Sequence, residues 1–167
     1  MENKNLTENP SSTAQGEIIR YLDFSLGTEE YAIPLLSVKE VIAFPEFTPI
    51  PYTPTHFLGI MNLRGQVISV IDLRIKFGIK AQNTVETVVI ICDLNPICLG
   101  IVVNSVNSVL TIAQSEINPK PDIQSSKASD YITGVTRKDK NLILLLDIAR
   151  ALEVADYTAI KQPQQNK

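Results

Sequence analysis

One histidine, two cysteines and no tryptophan occur in the 167 residues of this chain. That scarcity removes most metal and nucleophile chemistry at once. A zinc site needs three or four His, Cys or carboxylate ligands at regular spacing, and His56, Cys92 and Cys98 form neither a C-x-x-C pair nor a ligand-bearing helix face. Glycine is also sparse, with seven residues, and none of them builds a G-x-G-x-x-G or Walker-type phosphate cradle. Basic residues do not dominate: 15 Lys and Arg face 18 Asp and Glu, for a net charge of −3. No basic stripe exists, so nucleic acid and anionic lipid are not expected partners. The longest apolar runs, Val88 to Cys92 and Leu142 to Leu146, fall far short of the ~20 residues of a membrane-spanning helix. Residues 1–16 are polar without an apolar h-region, so no secretory signal is expected and a cytoplasmic location is. In that compartment thiols stay reduced, and Cys92 and Cys98 read as small hydrophobes rather than a disulfide. No catalytic residue, metal or cofactor is expected.

What the chain does have is short strands. Hydrophobic residues make up 44% of it, enough for one domain or two small ones sharing a core. Alternation marks Ile18 to Leu26 and Tyr31 to Ile33 as strands around a turn at Gly27 to Glu30. Leu35, Leu36, Val38, Val41 and Ile42 fall at helical spacing, which predicts a short amphipathic helix there. Pro45, Pro49, Pro51 and Pro54 make a loop or an edge. Gly59 to Leu63 and Val67 to Ile71 form a hairpin whose tip is Arg64-Gly65, with the arginine held outward. Asp72 stands at a helix N-cap before Leu73 to Phe77, and Gly78 stops that helix. Beyond a linker at 80–84 come strands over 85–93 and 97–103, a further strand through Val106 to Ile112, and a long loop over 113–130. Tyr131 to Arg137 and Leu142 to Leu146 make a last hairpin, and Asp147 caps a closing helix through Glu153. The expected organisation is a disordered tail over 1–16, one unit over 17–156 with similar halves at about 17–79 and 84–153, and a C-terminal tail over 157–167.

The halves repeat each other. A shift of 75 residues lays Gly59-Ile60 on Gly134-Val135 and Asp72-Leu73 on Asp147-Ile148, and a shift of 68 lays Ala32-Ile33 on Gly100-Ile101. The order of elements is the same in each half, which predicts two similar small β-barrels. Barrels also hide strand edges that would otherwise invite aggregation. The duplicated context explains Asp72 and Asp147 as helix caps, each contributing about 1 kcal/mol. Where the first hairpin has Arg64-Gly65, the second has Asp139-Lys140. From residues alone the reading stops at a non-enzymatic, all-β interaction domain.

A set of motifs goes further: Tyr31-Ala32-Ile33-Pro34 with Val38-Lys39-Glu40-Val41, then Gly59-Ile60-Met61-Asn62-Leu63-Arg64-Gly65, then Val70-Ile71-Asp72-Leu73-Arg74. Gly100 to Val103, Tyr131 to Gly134 and Leu145 to Ile148 follow in the second half. With these, the chain from about Glu17 to Glu153 resembles the CheW family of bacterial chemotaxis coupling proteins. The resemblance implies two intertwined, five-stranded, SH3-like β-barrels with short helices and a C-terminal helix. It implies an adaptor that binds the cytoplasmic tip of chemoreceptors and the regulatory domain of the histidine kinase CheA, without membrane insertion of its own. The family's receptor contacts map onto Arg64, Glu40, Val38 and Gly59, while the kinase contacts are not assigned to residues. A CheW-like adaptor of a related pathway (pilus motility or second-messenger control) is the alternative, and a small β-barrel enzyme or ligand-binding protein a third. Ser69 departs from a common proline of the family, and Asn104 and Ser108 from common acidic residues, which bears on the surface charge of the second barrel.

Overall fold

A computed structural model describes residues 16–119 and 128–165, without the side chains of 128, 129 and 161–165. Residues 1–15 of the expected N-terminal tail, and residues 120–127 of the expected long loop, lie outside the described residues. The short apolar runs become ten strands: β1 (Ile18–Leu26), β2 (Glu29–Pro34), β3 (Val38–Ala43), β4 (Phe57–Leu63), β5 (Gln66–Asp72), β6 (Val88–Asp93), β7 (Cys98–Val103), β8 (Ser105–Ala113), β9 (Ile132–Lys138) and β10 (Asn141–Leu146). Four helices accompany them: α1 (Leu73–Lys76), α2 (Ala128–Tyr131), α3 (Ile148–Ala151) and α4 (Val154–Gln165).

The strands form two five-stranded sheets, ordered β3-β6-β7-β5-β4 and β8-β1-β2-β10-β9. We call them the first and second barrels. Each takes strands from both sequence halves, so the halves are exchanged rather than stacked. The duplication holds at the level of register. The parallel pair Ser69↔Leu99 in the first barrel answers to Leu144↔Tyr31 in the second, and Val70↔Gly100 to Leu145↔Ala32. Even the bulges correspond: Val38↔Cys92 beside Phe24↔Val106. Each sheet is closed by one bridge from the chain beyond its outer strand, Thr48↔Ile60 in one and Asn118↔Val135 in the other.

Closure makes three apolar layers. The interior of the first barrel is Met61, Ile68, Val70, Val89, Ile91 and Val102. That of the second is Tyr21, Ala32, Ile112, Ile143 and Leu145. Between the barrels lies the largest cluster, which holds both members of each symmetry-related set: Leu22 and Ile90, Phe24 and Cys92, Ile33 and Ile101, Ile71 and Leu146. Central strands are therefore covered on both faces, which is why β6 and β7 read as unbroken apolar runs. Each fully buried side chain of this size contributes about 1.5–3 kcal/mol.

Three expectations need correction. Leu35 to Ile42 is not a helix: a 3-10 turn at Leu35–Ser37 leads directly into strand β3. Its residues alternate half-buried and exposed, and β3 pairs only with β6, so apolar residues stand on both faces of an edge strand and mimic helical spacing. The strand expected from Val85 begins at Val88, because Thr84 and Thr87 close a turn (Thr84 N to Thr87 Oγ1, 2.8 Å) that leaves Val85 exposed. The closing helix expected through Glu153 ends at Ala151 as α3, and within the expected tail Ala159 and Ile160 of a further helix, α4, join the central cluster, residues 166 and 167 lying outside the described residues.

Candidate functional site

The β4–β5 hairpin turns through two residues of positive φ, Arg64 at 52° and Gly65 at 86°, as a type I′ turn requires. The Asn62 side chain accepts a hydrogen bond from the Gly65 N–H at 2.8 Å and pins the turn. A Cβ at Gly65 would meet nothing within 4 Å, so backbone conformation alone calls for glycine there. Arginine at the position before it carries about 1–2 kcal/mol of left-handed strain, and its side chain is the reason to look for a role.

That side chain crosses the open seam of the first barrel. Arg64 Nη1 donates to Glu40 Oε1 at 2.7 Å and Nη2 to Glu40 Oε2 at 2.9 Å. Glu40 lies on β3 and Arg64 follows β4, the two outer strands of the sheet. The expected free cation is thus half of a bidentate pair, and the structure joins two residues that the sequence placed on separate elements. Arg64 remains 73% exposed and Glu40 27%. The hydrogen bond from Arg64 holds the Glu40 carboxyl below its ordinary value, and the same bond raises the guanidinium. So exposed a pair contributes little to stability and exchanges partners easily. Below it is a cavity of about 200 Å³ lined by Leu63, Ile68, Ile91 and Cys98 as well as by the pair.

Val38 and Gly59 stand apart from this pair. Val38 is half-buried and packs against the central cluster. Gly59 is buried at φ 141°, where a Cβ would come within 2.2 Å of the Thr48 carbonyl oxygen. Only glycine admits the bridge between Thr48 and Ile60 that closes the barrel, so Gly59 shapes the site through the Thr48 segment.

Asp72 does what was expected and more. Its Oδ1 accepts from the Arg74 N–H at 3.0 Å as a cap, and both its oxygens also take the Arg74 guanidinium, at 3.0 and 2.9 Å. Arg74 is 1% exposed and donates further to Gln82 O (3.0 Å) and Asn83 Oδ1 (2.7 Å). Asp147 caps α3 more loosely, its Oδ1 accepting from Arg150 N at 3.3 Å.

The lone histidine is structural. His56 Nε2 lies against Asp156 Oδ1, while Lys76 Nζ donates to Asp156 Oδ2 at 2.7 Å. Asp156 is 1% exposed. Burial pushes its carboxyl up, but the Glu153 N–H, Lys76 and His56 together pull it below its ordinary value. The cluster clasps α4 to α1 and to the loop before β4. Cys92 is free and buried, its thiol pushed up to about 12 by burial and by the neighbouring Cys98. It stays protonated and is no nucleophile. Among the described residues no group of three or more His, Cys, Asp or Glu is placed to hold a metal ion, and no described helix is long and apolar enough to cross a membrane. Sequence reasoning quoted Arg74 within V-I-D-L-R without a role, and missed Lys76 and Asp156. The first stood beside its cap, but the clasp joins positions a hundred residues apart and leaves no local signal.

The comparisons agree with this architecture. The family model of the CheW-like domain matches residues 20–156. A chemotaxis protein CheW of Klebsiella aerogenes is 36% identical over 152 residues, covering 89% of this chain and 92% of that one. A chemotaxis protein CheW of Helicobacter pylori is 31% identical over 82% of this chain and 83% of its own. The crystal structure of the scaffolding protein TtCheW from Thermoanaerobacter tengcongensis superposes with a TM-score of 0.76 at 30% identity, covering 84% of this chain and 96% of that one. Strand order, exchanged halves and relatives spanning nearly the whole unit lead to one conclusion: the chain belongs to the CheW family of non-enzymatic chemotaxis scaffold proteins.

Proposed function

We propose that this protein couples the cytoplasmic tips of chemoreceptors to the histidine kinase CheA, in the cytoplasm at receptor arrays on the inner face of the membrane. The observation that carries the reading is the Arg64–Glu40 pair, exposed and bidentate on a rigid seam. A receptor tip is a helical hairpin, and a helix laid along this seam meets a guanidinium and a carboxylate whose mutual attraction costs little to exchange. Val38 lies on the same strand as Glu40, and Gly59 keeps the Thr48 segment tight against β4, the strand that leads to Arg64. Neither contact need be strong: in an array, two micromolar contacts, each about −8 kcal/mol, are reinforced by effective concentration. The scaffold then transmits receptor conformation to the kinase without chemistry of its own.

Reconstitution of the purified chain with a receptor signalling fragment and CheA tests this. Kinase activity is expected to depend on the chain, and activity indifferent to it overturns the reading. Arg64→Glu is expected to abolish co-sedimentation with the receptor fragment, and unaltered co-sedimentation would remove Arg64 from the contact.

A further inference from the structure

The duplication places Asp72 and Asp147 at equivalent points, and their surroundings differ in one way. Around Asp72 the chain supplies its own cation. Arg74, 1% exposed, is held on Asp72 and by the linker through Gln82 and Asn83. The same linker seats Ile79 against Gly27, whose Cβ position is 3.0 Å from Ile79 Cγ2. Under this cover Leu26 is 0% exposed.

Around Asp147 no such cover lies among the described residues. Ala149 stands where Arg74 does, and the segment that follows α3 does not serve as a linker: α4 packs toward β4 and α1. The counterpart of Leu26, Leu94, is only half-buried, and so is Pro34 beside it. They line an open groove of about 170 Å³ between the barrels, with Ile33 and Ile148. Asp147 is the only charged residue of the lining, and its side chain is 38% exposed. Its one cationic neighbour, Arg150, reaches Oδ2 at 3.5 Å while remaining 64% exposed, too long and too wet to hold it.

We propose that this groove is a socket for an arginine of a partner protein, presented beside an aliphatic residue, in the way that Arg74 and Ile79 fill the equivalent place from within. Asp147 takes the guanidinium in the bidentate fashion of Asp72, and the apolar walls take the aliphatic neighbour. The inference names the chemistry that an adaptor's partner would supply and rests on the adaptor reading.

The full chain, ¹⁵N-labelled, is titrated with N-acetyl-leucyl-arginine amide and, in parallel, with its citrulline isostere, which keeps the shape and loses the charge. Saturable shifts are expected at the amides of Thr133, Asp147 and Ile148, with the citrulline peptide about tenfold weaker. Ala149→Arg, which supplies the guanidinium in cis, is expected to abolish the response with an unchanged melting temperature. Asp147→Asn is expected to erase the preference for arginine, and it decides the matter alone should Ala149→Arg fail to fold. Equal responses to the two peptides, shifts confined to other sites, or no saturable response overturn the proposal. A chain that binds the arginine peptide yet fails to couple the kinase overturns the adaptor reading alone. One that couples the kinase yet ignores the peptide overturns the socket alone.

Discussion

At the mouth of the first barrel, Arg64 and Glu40 clasp each other above Ile91 and Cys98. At the mouth of the second, the register puts Ser108 in the place of Glu40, and Asp23 and Glu30 in the places of Ile91 and Cys98. Lys138, from the residue before the hairpin tip, turns inward to Ser108 (2.9 Å) and Asp23 (3.5 Å). Asp23 is 0% exposed, and its Oδ1 and the Glu30 Oε2 are buried without a hydrogen-bond partner among the described residues. Both seams are thus bridged by a basic residue, but the first bridge lies on the surface and the second ends on a fully buried carboxylate. Backbone pairing has kept the two barrels alike, whereas side chains that take no part in pairing have diverged. A surface pair is available to a partner; one that ends on a buried carboxylate is committed to the fold.

This contrast can be broken by substitution. The largest effect is expected at the inter-barrel ion pairs: Arg74→Ala strands a buried carboxylate and should cost about 3–5 kcal/mol, against less than about 1 kcal/mol for Arg150→Ala at the exposed counterpart, both read by urea unfolding. Equal costs would erase the distinction between a filled and an open groove. Next come the barrel-closing glycines. Gly59→Ala meets backbone at 2.2 Å and a φ of 141° and should cost about 3 kcal/mol, while Gly134→Ala meets first the Ile117 side chain at 2.6 Å, which yields, for about 1–2 kcal/mol.

The Asp156 clasp exists in one half only and gives the fold a dependence on acid. Because Asp156 titrates lower in the folded chain than in the unfolded one, its contribution is complete above the ordinary carboxylate range near about pH 4 and is lost as pH falls through the depressed value. Asp156→Asn should flatten the melting temperature in that window, and an unchanged acid profile would separate the clasp from stability. The smallest effects concern the mouths. Lys138→Met leaves Asp23 buried without its cation and should cost about 1–2 kcal/mol, whereas Arg64→Ala should leave the melting temperature unchanged although receptor binding falls.

Local patterns carried much of the fold. Gly59, the β-branched run from Val67 and the capping Asp72 announced a hairpin and helix start, and their recurrence at Gly134, Leu142 and Asp147 announced a second copy. Edge strand β3 was misread because its partner, β6, begins 50 residues after it, and pairing of that range leaves no periodicity to find. The site was half legible. Arg64 and Glu40 could each be singled out, but their union depends on the curl of a sheet that brings outer strands β3 and β4 together. Asp156 and Lys76 were invisible for the same reason, since burial turned two ordinary surface residues into a clasp.

The exchange of strands between barrels has a consequence for how the chain can be cut. Strand β2 must find β10 and β5 must find β7, so neither half holds a complete sheet or a closed interior. Fragments split in the linker at 80–84 should each remain unfolded and recover the native spectrum only when mixed, as complementing pieces. Such a topology is slow to assemble, because its contacts are far apart in the chain. Once assembled, the two barrels are joined by exchanged strands and by the shared apolar cluster between them. For a chemotaxis scaffold protein, that interlocking makes it a gauge block, a single piece whose two barrels cannot be taken apart without unthreading the sheets.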